Sequence, residues 1–237
     1  MWQERKKLGI VLPLANEEET IDLLLDGITS HLARQDRVFC ILDHVSRDNT
    51  RDKVGIYCRK DERVRLVWAP EDRNVVDAYF RGYIEALDKG CEWILEMDGG
   101  MSHDPREIPL FLEAMEKGYD FAAGSRFIEN GGFSGSIRRK MLSFCGTLLT
   151  NLLLGTGMRD MTSGFECFTR GALEYVLQQG VQSKAHFFQT EIRVMMHRFH
   201  WVEVPIHYRC TCHRVAASSV TESLRILWQL AGKVPGS

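Results

Sequence analysis

The sequence predicts an α/β fold in which a mainly parallel sheet is flanked by helices. Short apolar runs alternate with segments whose apolar residues recur at helical spacing. The alternation persists through the first four strands, as right-handed βαβ units require. Over 237 residues, 44% hydrophobic and 26% charged side chains supply a full core, without the composition of a disordered tail.

Residues 8–14 form a short apolar run containing Pro13 and are expected to be a buried first strand. Acids follow at 17–19, where a helix N-terminus favours them, and Ile21, Leu24, Leu25 and Ile28 then recur at helical spacing. The pattern repeats as strand 38–43, helix 49–59, strand 64–68, helix 75–87 and strand 93–98. In parallel sheets ligands sit beyond the carboxyl ends of the strands, which selects residues 13–17, 43–50 and 98–103.

The second half is less regular. A strand at 120–125 leads into a Gly-rich loop, GSRFIENGGFSGS. A helix follows with apolar residues at 141, 142, 145, 148, 149, 152 and 153, read as an amphipathic stripe. Helices at 173–177 and 190–199, a strand at 201–206 and a last helical face at 220, 224, 227 and 231 complete the chain. No repeat, low-complexity tract or linker divides it, so a single domain over 1–237 is expected.

The formal charge of −2 argues against general nucleic-acid binding, although Arg138, Arg139 and Lys140 form a local basic cluster. Seven scattered cysteines show no disulfide-framework spacing, which points to a reducing cytoplasm. The N-terminus has too short an apolar run for a signal peptide, and no stretch approaches the roughly 18 apolar residues that span a bilayer. Membrane contact is therefore expected to be peripheral or made through a partner.

Asp98 ends the fourth strand and enters a Gly-Gly turn. A carboxylate there is either a turn former or a holder of a divalent cation against a diphosphate. Glu96, on the same strand face, is a second acid near that metal or a strand carboxylate paired elsewhere. Arg126 serves a phosphate or pairs with a strand-end acid. The stripe from 141 to 153 is core packing or, given the basic cluster before it, a membrane-surface element. His207, Cys210, Cys212 and His213 lack the spacing of known zinc sites, and His197 and His200 read as surface or core residues.

The run ILEMDGGMSHDPREIP resembles the metal-site segment of dolichol-phosphate-mannose synthases and related family 2 glycosyltransferases, usually Asp-x-Asp followed by His-x-Pro. VLPLANEEETI, ILDHVSRDNT, GSRFIENGG, RRKMLS, DMTSGFECF, FFQTEI and the VPI strand resemble further family segments in family order, over about residues 8–220. The resemblance implies a GT-A fold, a Rossmann-like sheet with a nucleotide-sugar-binding half at about 8–125, an acceptor half at about 126–220 and a C-terminal helix and tail at 220–237. It implies that Pro13, Asn16, Glu17 and Asp43 line the donor nucleotide, and that Asp98 holds Mg²⁺ or Mn²⁺ with Ser102 at the position of a further ligand. Arg126, Arg139 and Ser143 match acceptor-phosphate contacts, and Arg214, followed by Ser219, matches a loop arginine that closes over the phosphates.

Five positions depart from the family pattern. Gly100 replaces the second Asp of the metal pair, His44 and Val45 replace Asp-Gly in the nucleotide loop, Glu166 stands where an arginine is common, and Val220 where a lysine is common.

The expected activity is inverting transfer of a hexose, mannose as first candidate, from GDP-mannose or a UDP-hexose to a polyprenyl phosphate at the cytoplasmic membrane face. An acceptor phosphate is already anionic, so Asp98, Arg126, Arg139 and Arg214 would act by positioning and charge neutralisation. Two alternatives stand beside it: a family 2 transferase with a soluble hydroxyl acceptor and Asp104 or Glu96 as base, or a nucleotide-binding scaffold that has lost catalysis.

Overall fold

Nearly every side chain of LGIVLPL is apolar, and all but Pro13 are buried. That is the pattern of a strand with neighbours on both edges and helices on both faces. This first strand, β1 (Leu8–Leu14), lies in a computed structural model that describes residues 5–209 and 217–232. Three more strands and three helices follow in alternation: α1 (Ile21–Thr29), β2 (Arg37–Leu42), α2 (Thr50–Lys60), β3 (Val64–Trp68), α3 (Val75–Asp88) and β4 (Trp93–Glu96). Asn74 opens α3 as an N-cap, its side chain accepting from the N–H groups of Val76 and Asp77.

A short 3₁₀ turn (Pro105–Glu107) and α4 (Ile108–Glu116) lead to β5 (Phe121–Ser125) and β6 (Gly132–Ser134). The chain continues through α5 (Ile137–Leu154), β7 (Glu166–Thr169), α6 (Arg170–Gln179), α7 (Phe187–Met196), β8 (Trp201–Pro205), β9 (His207–Arg209) and α8 (Ala217–Ala231). The main sheet has the order β3-β2-β1-β4-β7-β5-β8. β3, β2, β1 and β4 run parallel, β7 is antiparallel to both its neighbours, and β8 is parallel to β5. β6 and β9 make a separate two-stranded parallel ribbon.

Two apolar layers cover the sheet. Ile21, Leu24, Ile28 and Phe111 pack on one face, and Tyr79, Tyr83, Leu173 and Ile192 on the other. Each such side chain contributes about 1.5–3 kcal/mol through burial.

The expected strand 93–98 stops at Glu96, leaving Asp98 beyond the ladder, although Met97 N–H still donates to the Val11 carbonyl at 3.2 Å. The larger difference concerns α5, whose stripe does not face the core. Ile137, Met141, Phe144, Leu148 and Leu152 share one face and are exposed, Leu152 by 81%. The buried positions of this helix are Thr147 and Thr150. α5 packs against α8, and on the outward face Phe144 meets Phe127 edge-on while Ile137, Met141, Leu148 and Leu152 stay exposed among the described residues.

Candidate active site

The carboxyl ends of β1, β2 and β4 open into a cavity of about 700 Å³. One wall carries Pro13, Glu17, Asp43, Asp98 and Ser102; the other carries Arg126, Arg139 and Ser143. These residues come from six separate elements or loops, and the parallel sheet is what gathers them at one end. Arg214 lies outside the described residues, as do Cys210, Cys212 and His213, and nothing is described of the Ser219 side chain.

Asp98 sits at the head of a tight loop. Gly99 has no room for a side chain, since a Cβ would come 2.9 Å from the Pro13 carbonyl oxygen. Met101 takes a left-handed φ of 57°, and the chain doubles back so that His103 Nδ1 accepts the Asp98 N–H at 3.1 Å. With Nδ1 an acceptor, the proton of the neutral ring belongs on Nε2. That nitrogen is buried, has no hydrogen-bond partner among the described residues and lies 3.8 Å from Asp98 Oδ2. Burial favours this neutral form, against the pull of Asp98, so the ring titrates below the usual histidine range. On the other side of the carboxylate, the Tyr79 hydroxyl donates to Oδ1 at 2.9 Å. Neither Tyr79 nor His103 was singled out from sequence. Tyr79 reads there as an ordinary apolar-face residue of α3.

The β1 and β2 loops hold one another. Asn16, at φ 59°, donates from its N–H to Ser46 Oγ at 3.1 Å and accepts the Arg47 N–H at 2.9 Å. Its side chain is thus spent on joining the loops, and it does not line the cavity. Asp43 reaches the wall while its carboxylate accepts the Val45 N–H at 2.7 Å. Glu17 accepts the Thr20 hydroxyl at 2.9 Å through Oε2. Burial pushes the Glu17 carboxyl upward, and the nearby charges of Asp48 and Asp98 add to this.

Arg126 combines both roles weighed for it. It faces the cavity, yet Nε and Nη2 grip Asp160 at 2.7 and 2.8 Å in a bidentate pair, and Nη2 also donates to Thr162 Oγ1. Behind it, Arg193 of α7 donates to Glu166, to the Asp160 carbonyl and to the Gly124 carbonyl. Burial pushes Asp160 up, but Arg126 and Arg193 outweigh it and hold the carboxyl low.

Glu96 lies directly across the β4–β7 ladder from Glu166 and takes hydrogen bonds from Tyr83 and Gln189. Glu96 is therefore a strand carboxylate paired elsewhere and is not part of the cavity wall. Burial, reinforced by the charges of Glu166 and Asp98, raises its titration well above the usual carboxylate value. Asp104 is engaged by Arg106 and by Arg209. Neither acid lines the cavity.

Among the described residues, no three acidic, histidine or cysteine side chains converge as a closed metal cage. A nucleotide-dependent ion needs fewer, since diphosphate and water supply most of its oxygens. Asp98 suits that use: its carboxylate faces the cavity, braced by Tyr79 and beside the orphaned His103 N–H. Of the remaining histidines, His200 stacks on Tyr119 and His207 sits 3.3 Å from Glu107, so both have structural partners.

The profile of Glycosyl transferase family 2 matches residues 9–177, which takes in both walls of the cavity as far as α6. The chain is a family 2 glycosyltransferase. Two relatives extend the likeness of this glycosyltransferase almost end to end. It is 28% identical to a polyprenol monophosphomannose synthase of Mycolicibacterium smegmatis, over 95% of this chain and 88% of that one. It is also 28% identical to an undecaprenyl-phosphate mannosyltransferase of Micrococcus luteus, over 84% and 82% of the two chains. Among solved structures, glucosyl-3-phosphoglycerate synthase of Mycobacterium tuberculosis, with Mn²⁺, UDP and phosphoglyceric acid, superposes with a TM-score of 0.71. That match covers 98% of this chain and 80% of the other at 16% identity, and it establishes the GT-A fold.

Proposed function

We propose that this glycosyltransferase moves a hexose, mannose first among candidates, from a nucleotide-sugar to a polyprenyl phosphate, with inversion at the anomeric carbon. The observation that carries the reading is the cavity itself. It runs from the nucleotide-facing loops at Glu17, Asp43 and Asp98 to Arg139 and Ser143 on α5. The outer face of α5 exposes a row of apolar residues beside Arg138 and Lys140, suited to an anionic lipid surface. The likeness to a polyprenol monophosphomannose synthase and to an undecaprenyl-phosphate mannosyltransferase supports the same acceptor. No helix among the described residues is long and apolar enough to cross a membrane, so contact through α5 would be peripheral.

In the proposed reaction an acceptor phosphate oxygen attacks the anomeric carbon as the bond to the donor diphosphate breaks. The electron pair leaves with the nucleoside diphosphate. The attacking oxygen is already charged, so the step needs no general base, and the buried acid Asp160 is held in an ion pair with Arg126. Asp98 would hold Mg²⁺ or Mn²⁺, which neutralises charge on the departing diphosphate. Arg139 and the cavity-facing edge of Arg126 would orient the acceptor phosphate. The two halves share one sheet, and we read the whole chain as one transferase domain.

The test is nucleotide release from GDP-mannose and from UDP-hexoses, with and without a short polyprenyl phosphate. Lipid-dependent release together with a glycolipid product is the expected result. Release stimulated only by a soluble hydroxyl acceptor would replace the lipid with that acceptor, and no release under any condition would favour the scaffold reading.

A further inference from the structure

We propose that Glu17 is the second carboxylate of the divalent-cation site, taking the place that Gly100 leaves open and sharing the ion with Asp98. The inference rests on the metal-dependent reading of Asp98 given above. Gly100 is not a glycine by conformational need, because its φ lies outside the left-handed region. A side chain at this position would instead project straight at Glu17: a Cβ would stand 3.1 Å from Oε1 and 3.6 Å from Oε2. The Glu17 carboxylate thus already occupies the space into which an acid at position 100 would grow. The acid arrives from the β1 loop rather than the β4 loop.

The partners of these groups point the same way. Thr20 satisfies Glu17 Oε2, while Oε1 has no hydrogen-bond partner among the described residues. Neither Glu17 nor Asp98 is paired with a lysine or arginine among the described residues, although acids elsewhere in this chain commonly are. Two carboxylates facing one cavity without a cation repel each other, and a divalent ion removes that cost. A separate observation comes from His103. Its side chain is 1% exposed, and Nε2, which carries the ring proton, has no hydrogen-bond partner among the described residues and lies 3.8 Å from Asp98 Oδ2. A histidine N–H directed at a carboxylate is the kind of outer contact that orients a metal-ligating oxygen.

The experiment is Mn²⁺ binding followed by electron paramagnetic resonance in the presence of GDP, repeated with UDP, with a melting curve for each variant. Asp98→Asn and Glu17→Gln are each expected to weaken Mn²⁺ binding by at least about tenfold, since loss of outer-shell partners alone costs about 10–100-fold. Introducing Gly100→Asp into the Glu17→Gln background is expected to restore most of that loss. A merely structural Glu17 would not be repaired by an acid at position 100, so this arm decides even where a single variant loses stability. If Asp98→Asn abolishes binding while Glu17→Gln binds Mn²⁺ as wild type does, Glu17 is not a ligand and the Asp98 reading stands alone. Failure of the double variant to recover, at wild-type melting temperature, also overturns the proposal. Wild-type affinity in Asp98→Asn removes the ion from this loop altogether.

Discussion

Arg126 and Arg139 reach the same cavity, but their surroundings assign them different burdens. Arg126 is buried and committed to Asp160 through both arms of its guanidinium fork. Lysine keeps the charge yet cannot make that bidentate contact. Arg126→Lys is therefore expected to lower stability by a few kcal/mol, approaching the ~3–5 kcal/mol of a broken buried pair. Arg139 is only partly buried on the first turn of α5. Arg139→Lys is expected to melt as wild type does, bind donor normally, and raise the acceptor KM by about fivefold or more. Thermal melts beside steady-state transfer check this contrast, and equal melting of the two variants would erase it. At this scale most of the candidate site was legible in the chain, because strand ends in a parallel sheet announce where side chains meet. Asp160 and Arg193 were not legible. Their role depends on pairing across three elements distant in sequence, and a buried arginine on α7 looks like any charged helix residue.

At the scale of elements, α5 carries the membrane reading. Its apolar residues occupy both sides of the helix: Leu142 and Leu149 turn toward the cavity, while Ile137, Met141, Leu148 and Leu152 face outward. Replacing those four outward residues by serine is expected to reduce binding to anionic vesicles by at least tenfold, an order-of-magnitude figure from their summed apolar area (roughly). Donor affinity and melting temperature should hold, since none of the four is buried. Vesicle co-sedimentation checks it, and undiminished binding would move the lipid contact to another surface. Helical spacing announced α5 itself, but periodicity alone does not say whether an apolar face meets protein, lipid or water. The strands that escaped notice were short for a related reason. β6 and β9 have three residues each, and β7, ECFT, places a glutamate inside the sheet where an apolar run is the usual signal.

Across the whole molecule, the centre of the sheet holds a charge imbalance. Three carboxyls, Glu96, Glu166 and Asp160, adjoin two guanidinium groups, Arg126 and Arg193, all of them buried. Burial pushes Glu166 up to about 7 against the pull of Arg193, and raises Glu96 well above its ordinary value. Both carboxyls keep protons in the fold at pH values where the unfolded chain has lost them. Their contribution to stability is whole below the ordinary carboxylate range and is lost as pH rises through about 7 and beyond. The melting temperature is expected to decline from about pH 5 through about pH 7, and Glu96→Gln, which needs no proton, should flatten that decline. Identical slopes in the two proteins would place the pH dependence elsewhere. The same strand that brings Glu166 into the sheet also governs how the chain can be made. β7 lies between β4 and β5, and among the described residues β5 has no neighbour except β7 and β8. On the ribosome, β4 therefore waits with an open edge from the synthesis of Glu96 until Glu166 clears the exit tunnel, and β5 emerges into the same wait. Unpaired edges of this kind invite pairing between chains. A transcript cut short after β5 would yield an insoluble product rather than a working nucleotide-binding half.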